Sequence, residues 1–243
     1  FEKAQYSINK GLWGTSVGGR ETLNSKDYLP ETAWPTPATA TDPMSVTLHF
    51  EQGELTALNG VSMKPVDAIR QLQELAQPYG IGRDIHVGDT IIGIKGRVGF
   101  EAAAPMIIIK AHHLLEKHTL TKWQLYWKDQ LATWYGNWLH EGMMLDPTMR
   151  NIEKFLEDTQ KTVTGDVFVA LYPYRFTLTG VKTPRDLMSS KFGAYGEMNN
   201  SWDGADVRGF AKIFGNQVAI YHAVNGDTSR DTLIEEETKK AEN

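Results

Sequence analysis

The alternation of apolar and polar residues predicts several strands along the chain. In SVTLHFEQGELTALNG, Val46, Leu48 and Phe50 alternate with polar neighbours on one side of a glycine turn, as is typical of a β-hairpin. The stretch 165–181 shows the same pattern and predicts a second hairpin, and Ile85–Phe100 is rich in strand-forming residues and glycines. Strands in hairpins predict antiparallel pairing.

Helical spacing of apolar residues predicts helices between these strands. Pro65 begins a helix that ends at Ala76 and carries one apolar face. That face is formed by Val66, Ile69, Leu72 and Leu75. A long helical stretch after the strand-rich segment is predicted to divide near Thr119. Asp146, followed by a proline, predicts the cap of a helix that ends near Lys161.

The last part of the chain is predicted to hold a short helix capped by Asp203 or Asp206, then a strand at Val218–Ala223. The final segment, DTSRDTLIEEETKKAEN, has acid–base pairs at helical spacing and predicts a charged tail helix used in oligomerisation. Hairpins interleaved with helices predict the α+β class, with antiparallel or mixed sheets packed against helices.

Composition narrows the functional classes. The 243 residues are 41% hydrophobic and 23% charged with a formal net charge of −5, which favours neither nucleic acid nor an anionic membrane as partner. Without cysteine, the chain can form neither disulfides nor thiolate metal sites. The longest nearly apolar run, 102–109, is too short to span a bilayer. We therefore expect a cytoplasmic protein.

The opening segment, YSINKGLWGTSVGG, combines glycines with hydroxyl side chains. Gly14 and Gly19 have the separation of a phosphate-binding loop, but Arg20 and Glu21 stand where lysine and a hydroxyl residue are required. The segment is read instead as a loop of hydroxyl and backbone donors suited to a small polar ligand. A purely structural glycine loop is the alternative.

A glycine-dotted segment, GRDIHVGDTIIGIKGRVGFE, carries two basic residues on one strand. Lys95 and Arg97 are two residues apart, so they point to the same face of a strand. Beside bare glycine backbone, such a pair can hold a carboxylate or phosphate. A solvated charged face, or a buried pair of an arginine with Glu101, is the alternative.

Histidine spacing argues against a metal centre. His112, His113 and His118 lie close in sequence, but no two of them have the four-residue spacing of a helical metal site. No metal ligand is predicted.

An aromatic stripe runs along the segment TKWQLYWKDQLATWYGNWLH. At helical periodicity, five large apolar residues fall within about one quadrant of the helix. They are Trp123, Trp127, Leu131, Trp134 and Trp138. Large aromatic residues are enriched at subunit interfaces, so we predict that this stripe packs between subunits; packing within one subunit is the alternative.

Several long stretches in one order carry a family resemblance. They are YSINKGLWGTS, GIGRDIHVGDTIIGIKGRVGFEAAAPMIIIKAHHLLE, LEDTQKTVTGDVFVALYPYRFTLTG, FGAYGEMNN and DVRGFAKI. Together they resemble the C-terminal, synthetase and multimerisation part of argininosuccinate synthase, from Tyr6 to about Val224.

The resemblance implies a homotetrameric ligase that uses ATP with magnesium to join citrulline and aspartate, releasing AMP and pyrophosphate. In the family, a Ser-Gly-Gly-x-Asp loop in an N-terminal domain binds the nucleotide, and this motif does not occur here. We therefore expect that the nucleotide-binding domain is absent, that ATP is bound mainly by it, that the chain alone is inactive, and that it contains no catalytic residue.

The resemblance also implies site residues. The family contacts citrulline through two serines nine residues apart, which Ser7 and Ser16 match. Where the family has a citrulline-contacting glutamate and tyrosine, this chain has Gly88 and Phe100, with Asp89 as a neighbouring acid. Three basic residues are expected to orient ligand or support structure. These are Arg83, Lys95 and Arg97.

Four segments are predicted. They are a substrate-loop segment (1–28), a proline-rich connector (29–44), an α+β synthetase domain (45–225) and a charged, helical tail (226–243). The departures at Gly88 and Phe100 leave two alternative functions open: a non-catalytic binding or assembly module, or a ligase for another ureido or amino-acid substrate.

Overall fold

A computed structural model describes residues 4–189, 193 and 201–226 of the chain. Its strands are β1 (Ser7–Gly11), β2 (Gly14–Gly18), β3 (Met44–Glu51), β4 (Glu54–Leu58), β5 (Val61–Ser62), β6 (Arg83–Asp89), β7 (Lys95–Glu101), β8 (Gly165–Tyr172) and β9 (Arg175–Lys182). Its α-helices are α1 (Pro65–Ala76), α2 (Ala103–Thr119), α3 (Lys122–His140), α4 (Pro147–Gln160), α5 (Gly204–Phe214) and α6 (Asn216–Val224). The fold is α+β, as predicted.

One antiparallel sheet has the order β1-β2-β7-β6. The opening segment, which we predicted to be a loop, is a hairpin of β1 and β2 in this sheet. Gly14 and Gly19 flank the core of β2 with φ angles of 126° and 125°, which favour glycine. A Cβ at Gly19 would lie 2.4 Å from the carbonyl oxygen of Gln5. These two glycines therefore serve the backbone geometry of the hairpin.

A second antiparallel sheet has the order β5-β4-β3-β8-β9. Alternate residues of β3 and β8, including Leu48, Phe50 and Val167, are buried against α1 and α2 in the main hydrophobic core. Both hairpins predicted from alternation are therefore confirmed. α2 contacts β2 as well as this sheet, so it lies beside both sheets and forms one wall of the candidate site.

The helices of this region follow their sequence signals closely. α1 has the predicted bounds, but its buried residues include Ala68 and Ala76, whereas Val66 is 42% exposed. The helical stretch divides at Leu120 and Thr121; the Thr121 hydroxyl accepts a hydrogen bond from the backbone N–H at position 124 and caps α3. Asp146 caps α4, as predicted.

The proline-rich connector packs beneath the first sheet. Leu29, Ala33 and Trp34 form a small buried cluster with Val17 of β2 and half-buried Ile85 of β6. The connector therefore covers one face of this sheet and leaves the other face for the site.

The chain divides into two compact units, 1–187 and 188–243. In the second, Asp203 caps α5, as predicted, but the predicted strand at Val218–Ala223 is wrong because these residues lie in α6. The tail helix predicted for 226–243 falls, after Gly226, outside the described residues, as does most of FGAYGEMNN. No helix in the described ranges is long and apolar enough to cross a membrane.

Candidate functional site

The strand register of the first sheet brings the two serines to the same face as Gly88 and Phe100, the two positions that differ from the family pattern. Ser16 pairs with Phe100, and Phe100 pairs on its other side with Asp84. Directly paired residues of antiparallel strands point to the same face, and so do residues two apart along a strand. Ser7, paired with Gly18, and Gly88, four residues after Asp84, therefore share it. We call this face, defined by Ser7, Ser16, Phe100, Asp84, His86 and Gly88, the serine face.

A cleft of about 820 Å³ opens over the β6 side of the serine face. Its apolar walls come from Phe100, from α2 and from the β8–β9 hairpin. The residues from α2 and the hairpin are Pro105, Met106, Ile109, Tyr174 and Phe176. Its polar side chains include Asp84, His86 and Arg175. Apolar walls with a few polar groups are typical of small-molecule sites.

His86 lies against both positions at which the chain departs from the family pattern. Its ring contacts the ring of Phe100 edge to face, with centroids 6.0 Å apart. A Cβ placed on Gly88 would lie 2.9 Å from Nε2 of His86, so the imidazole occupies the space beside that glycine. Sequence reasoning missed Asp84 and His86. The signal that could have found them is their even spacing from Gly88 along one strand.

Arg83 points to the opposite face, where it supports the structure. Its side chain is 4% exposed and forms ion pairs with Glu31 at 2.7 Å and Glu101 at 3.3 Å. It also donates a hydrogen bond to the carbonyl oxygen of Thr36 and stacks over Trp34. Arg83 therefore ties the connector to the sheet, and it satisfies the nearly buried carboxylate of Glu101.

The other two basic residues and Asp89 also lie on this opposite face. Arg97 donates hydrogen bonds to the carbonyl oxygens of Glu21, Asn24 and Asp27, at 2.8, 2.6 and 2.7 Å. Lys95 forms an exposed ion pair with Asp89, its register partner. The structure therefore does not bring Asp89, Lys95 and Arg97 together with the serines.

Two histidines of α2, His112 and His113, belong to a polar network around the buried Glu116, whereas His118 contacts Asp186 at 3.1 Å. Glu116 is fully buried and accepts hydrogen bonds from Lys128 at 2.6 Å and from the side chain of Gln160 at 2.9 Å. His112 contacts Gln160 at 2.9 Å, and burial lowers the pKa of His112, opposed by the Glu116 carboxylate. Within the described residues, His113, Glu116 and Asp129 could together hold a cation, but the Lys128 ammonium pairs with both carboxylates. Lys128 therefore already provides the positive charge that a metal ion would supply to these two carboxylates.

Three of the five residues in the aromatic stripe of α3 are exposed to solvent in the single chain. α3 has no buried residue among those described, and Trp123, Trp127 and Trp134 are 55–63% exposed. Its ring contacts lie along the helix itself, between neighbours such as Trp134 and Trp138. Leu131 and Trp138 are half-buried, so packing within the chain covers part of the stripe and leaves Trp123, Trp127 and Trp134 exposed.

Comparison with known proteins gives consistent matches. A family profile described as "Arginosuccinate synthase C-terminal domain" matches residues 6–221. Curated relatives named argininosuccinate synthase include those of Pyrococcus furiosus (34% identical over 98% of this chain and 59% of the relative) and of Xanthomonas campestris pv. campestris (33%, 90% and 56%). The relative from Methanocaldococcus jannaschii is 31% identical over 90% of this chain and 56% of its own length. The chain thus spans little more than half the length of these relatives.

Proposed function

The chain belongs to the argininosuccinate synthase family, and we propose that it forms the citrulline-binding and subunit-association part of an ATP-dependent ligase. That ligase joins citrulline and aspartate to argininosuccinate in arginine biosynthesis. The observation that carries the proposal is the placement of Ser7, Ser16 and Phe100 on one face of one sheet, next to a cleft of ligand size.

The chemistry of citrulline suits the two hydroxyls. Citrulline is a neutral urea at one end and a zwitterion at the other, so it needs both donors and acceptors. Ser7 and Ser16 occupy diagonal positions on neighbouring strands, where spacing is about 7–8 Å. Two hydroxyls at that spacing can contact two different groups of one extended amino acid. Their proposed role is to bind and orient it.

ATP is the proposed co-substrate, with no contact assigned to the described residues. Gly14–Gly18 is a strand of the hairpin, whereas a phosphate-binding loop must open a helix with its amides facing the phosphate. The chain's own contribution to the reaction is therefore proposed to be the positioning of the citrulline ureido group. The chain alone is proposed to lack ligase activity.

The exposed stripe of α3 supports the assembly part of the proposal. Trp123, Trp127 and Trp134 present a large apolar surface that a partner subunit would remove from water. A homotetramer located in the cytoplasm is the proposed state.

The test is an assay of pyrophosphate release by the complete gene product that contains this chain. We expect release to require ATP, citrulline and aspartate together. Reactions that lack one substrate are the controls. Release independent of citrulline, or none with all three substrates, would contradict the proposal. The 243-residue chain alone is expected to produce no AMP in the same assay.

Gly88 and Phe100 favour a second candidate, a ligase for another ureido or amino-acid substrate. The carboxylate and hydroxyl that the family pattern has at these positions are absent here. A panel of ornithine, arginine, glutamine and citrulline in the same assay separates the two candidates. A clear preference for another member of the panel would support the second.

A further inference from the structure

Strand β6 carries two polar side chains on the serine face. Asp84 pairs with Phe100, and His86 pairs with Val98, so both side chains share the face of Ser16. Both also line the cleft over this face. Their placement follows from the antiparallel register, since residues at even spacing along a strand point the same way.

Asp84 and Asp89 lie on the same strand, but among the described residues only the Asp89 carboxylate forms an ion pair. Asp89 faces away from the serines and pairs with Lys95. Asp84 accepts a hydrogen bond from the backbone N–H of Ile85 at 2.7 Å. Within the described part of the chain no ion pair to Asp84 forms, since Arg83 is engaged by two glutamates. The Asp84 carboxylate therefore keeps acceptor capacity toward the cleft.

The distance across the sheet suits an amino acid. β2 and β6 are separated by β7 alone, so Ser16 and Asp84 are two strand spacings apart, about 10 Å between backbones. Side chains that rise from the same face shorten the gap that a ligand must bridge. Phe100 lies between them and offers an apolar surface for the methylene chain.

His86 fills the space next to Gly88. Because a side chain at position 88 would meet Nε2 of His86, a carboxylate there and the observed imidazole compete for the same volume. An imidazole can both donate and accept hydrogen bonds. The polar groups at this end of the cleft thus come from residues 84 and 86.

We propose that Asp84 and His86 contact the bound amino acid, with the Asp84 carboxylate accepting N–H groups of the ligand and His86 closing the end of the cleft that lies next to Gly88. The inference rests on the proposed function, since it concerns the same site. The ligand class is an amino acid with N–H donors at the end near β6, such as an ammonium, ureido or guanidino group. A carboxylate on Asp84 selects against ligands with a second carboxylate there.

The test compares variants of the complete gene product in citrulline-dependent pyrophosphate release. Asp84→Asn keeps the shape of the side chain but removes its charge, and we expect it to raise the KM for citrulline at least about tenfold. The KM for ATP should change less than twofold. Asp158→Asn, at an exposed carboxylate on α4, is the matched control and should leave both values unchanged.

A second part of the test concerns the role of His86. We expect His86→Ala to raise the KM for citrulline, and His86→Gln, which restores a donor and an acceptor, to recover part of the loss. NMR resonances of the His86 ring should shift on titration with citrulline, and those of His49, which lies on the other sheet, should not. A structural role alone would not produce the ring shift.

The outcomes separate the two proposals. Normal citrulline kinetics in both Asp84→Asn and His86→Ala, with active wild type, would overturn this inference and leave the proposed function standing. An increase in KM for Asp89→Asn but not for Asp84→Asn would also overturn it. A wild type that neither binds nor turns over citrulline would overturn the proposed function and this inference with it.

Discussion

Ser16 and Phe100 lie directly opposite each other in the antiparallel pair of β2 and β7, with their side chains on the same face. Eighty-four positions separate them in the chain, so this relationship is created by the sheet alone. It places an aromatic ring without a hydroxyl beside a serine that is proposed to bind citrulline. Substitutions at either position are therefore expected to change the KM for the same ligand, citrulline.

Phe100→Tyr is expected to lower the KM for citrulline by about three- to tenfold. The added hydroxyl would lie on the serine face and contribute one neutral hydrogen bond, worth about 0.5–1.5 kcal/mol. Steady-state kinetics of the complete gene product measure the effect. Phe155→Tyr, on the exposed side of α4, is the control. An unchanged or raised KM in Phe100→Tyr would show that this position does not face the ligand.

Ser7→Ala and Ser16→Ala are each expected to raise the KM for citrulline about three- to tenfold. Each removes one hydrogen bond to a neutral or zwitterionic group, while the dependence on ATP stays nearly unchanged. Ser45→Ala, in β3 of the other sheet, serves as the control. If both variants retain wild-type citrulline kinetics, the serine pair is only a feature of the hairpin.

Arg97→Ala is expected to lower the free energy of unfolding by about 2 kcal/mol. The guanidinium donates to three carbonyl oxygens between Glu21 and Asp27. Its loss removes all three hydrogen bonds and leaves the partly buried carbonyl of Glu21 without this donor. Lys95→Ala breaks only an exposed ion pair with Asp89 and should cost less than about 0.5 kcal/mol. Urea titration measures both. Equal losses in the two variants would refute the structural role of Arg97.

The pH dependence of stability is expected to report on His112. Because burial lowers the pKa of His112 in the folded chain, the unfolded chain binds the proton more readily. The free energy of unfolding should therefore fall as the pH drops below about 6.5, the ordinary pKa of histidine. His112→Gln should flatten this part of the profile in urea titrations between pH 8 and 5. A variant with the wild-type profile would place the effect on another group.

The chain is expected to be oligomeric at tens of micromolar, because the stripe of α3 is exposed in the single chain. Replacing Trp127 and Trp134 together by serine should shift the mass measured by light scattering toward the monomer. Leu23→Ser, also on the surface, is the control and should leave the mass unchanged. A wild type that is monomeric at this concentration would contradict the prediction.

Local signals in the sequence determined most of the elements. Pro65 and Asp146 set the starts of α1 and α4, because a proline or a capping residue acts within its own first turn. The apolar alternation of β3 and β8 likewise reflects a sheet with one face in the core. Local signals failed at Val218–Ala223, where a short apolar run fits a strand and a helix equally well.

The sequence alone also identified the family, because several long stretches occur in the family's order. It indicated Ser7, Ser16, Gly88 and Phe100 as candidate positions of the ligand site. It could not decide which of them share a face. The opening hairpin lacks apolar alternation, and its glycines resemble those of a loop.

Only the tertiary structure separated the two faces of the first sheet. It placed Asp84 and His86 with the serines, and Asp89, Lys95 and Arg97 on the opposite face. The reason is physical: the side-chain period along a strand is two, so a shift of one residue in the pairing of β7 with β2 would reverse every assignment. That register is fixed by contacts between segments far apart in the chain, which local patterns do not record.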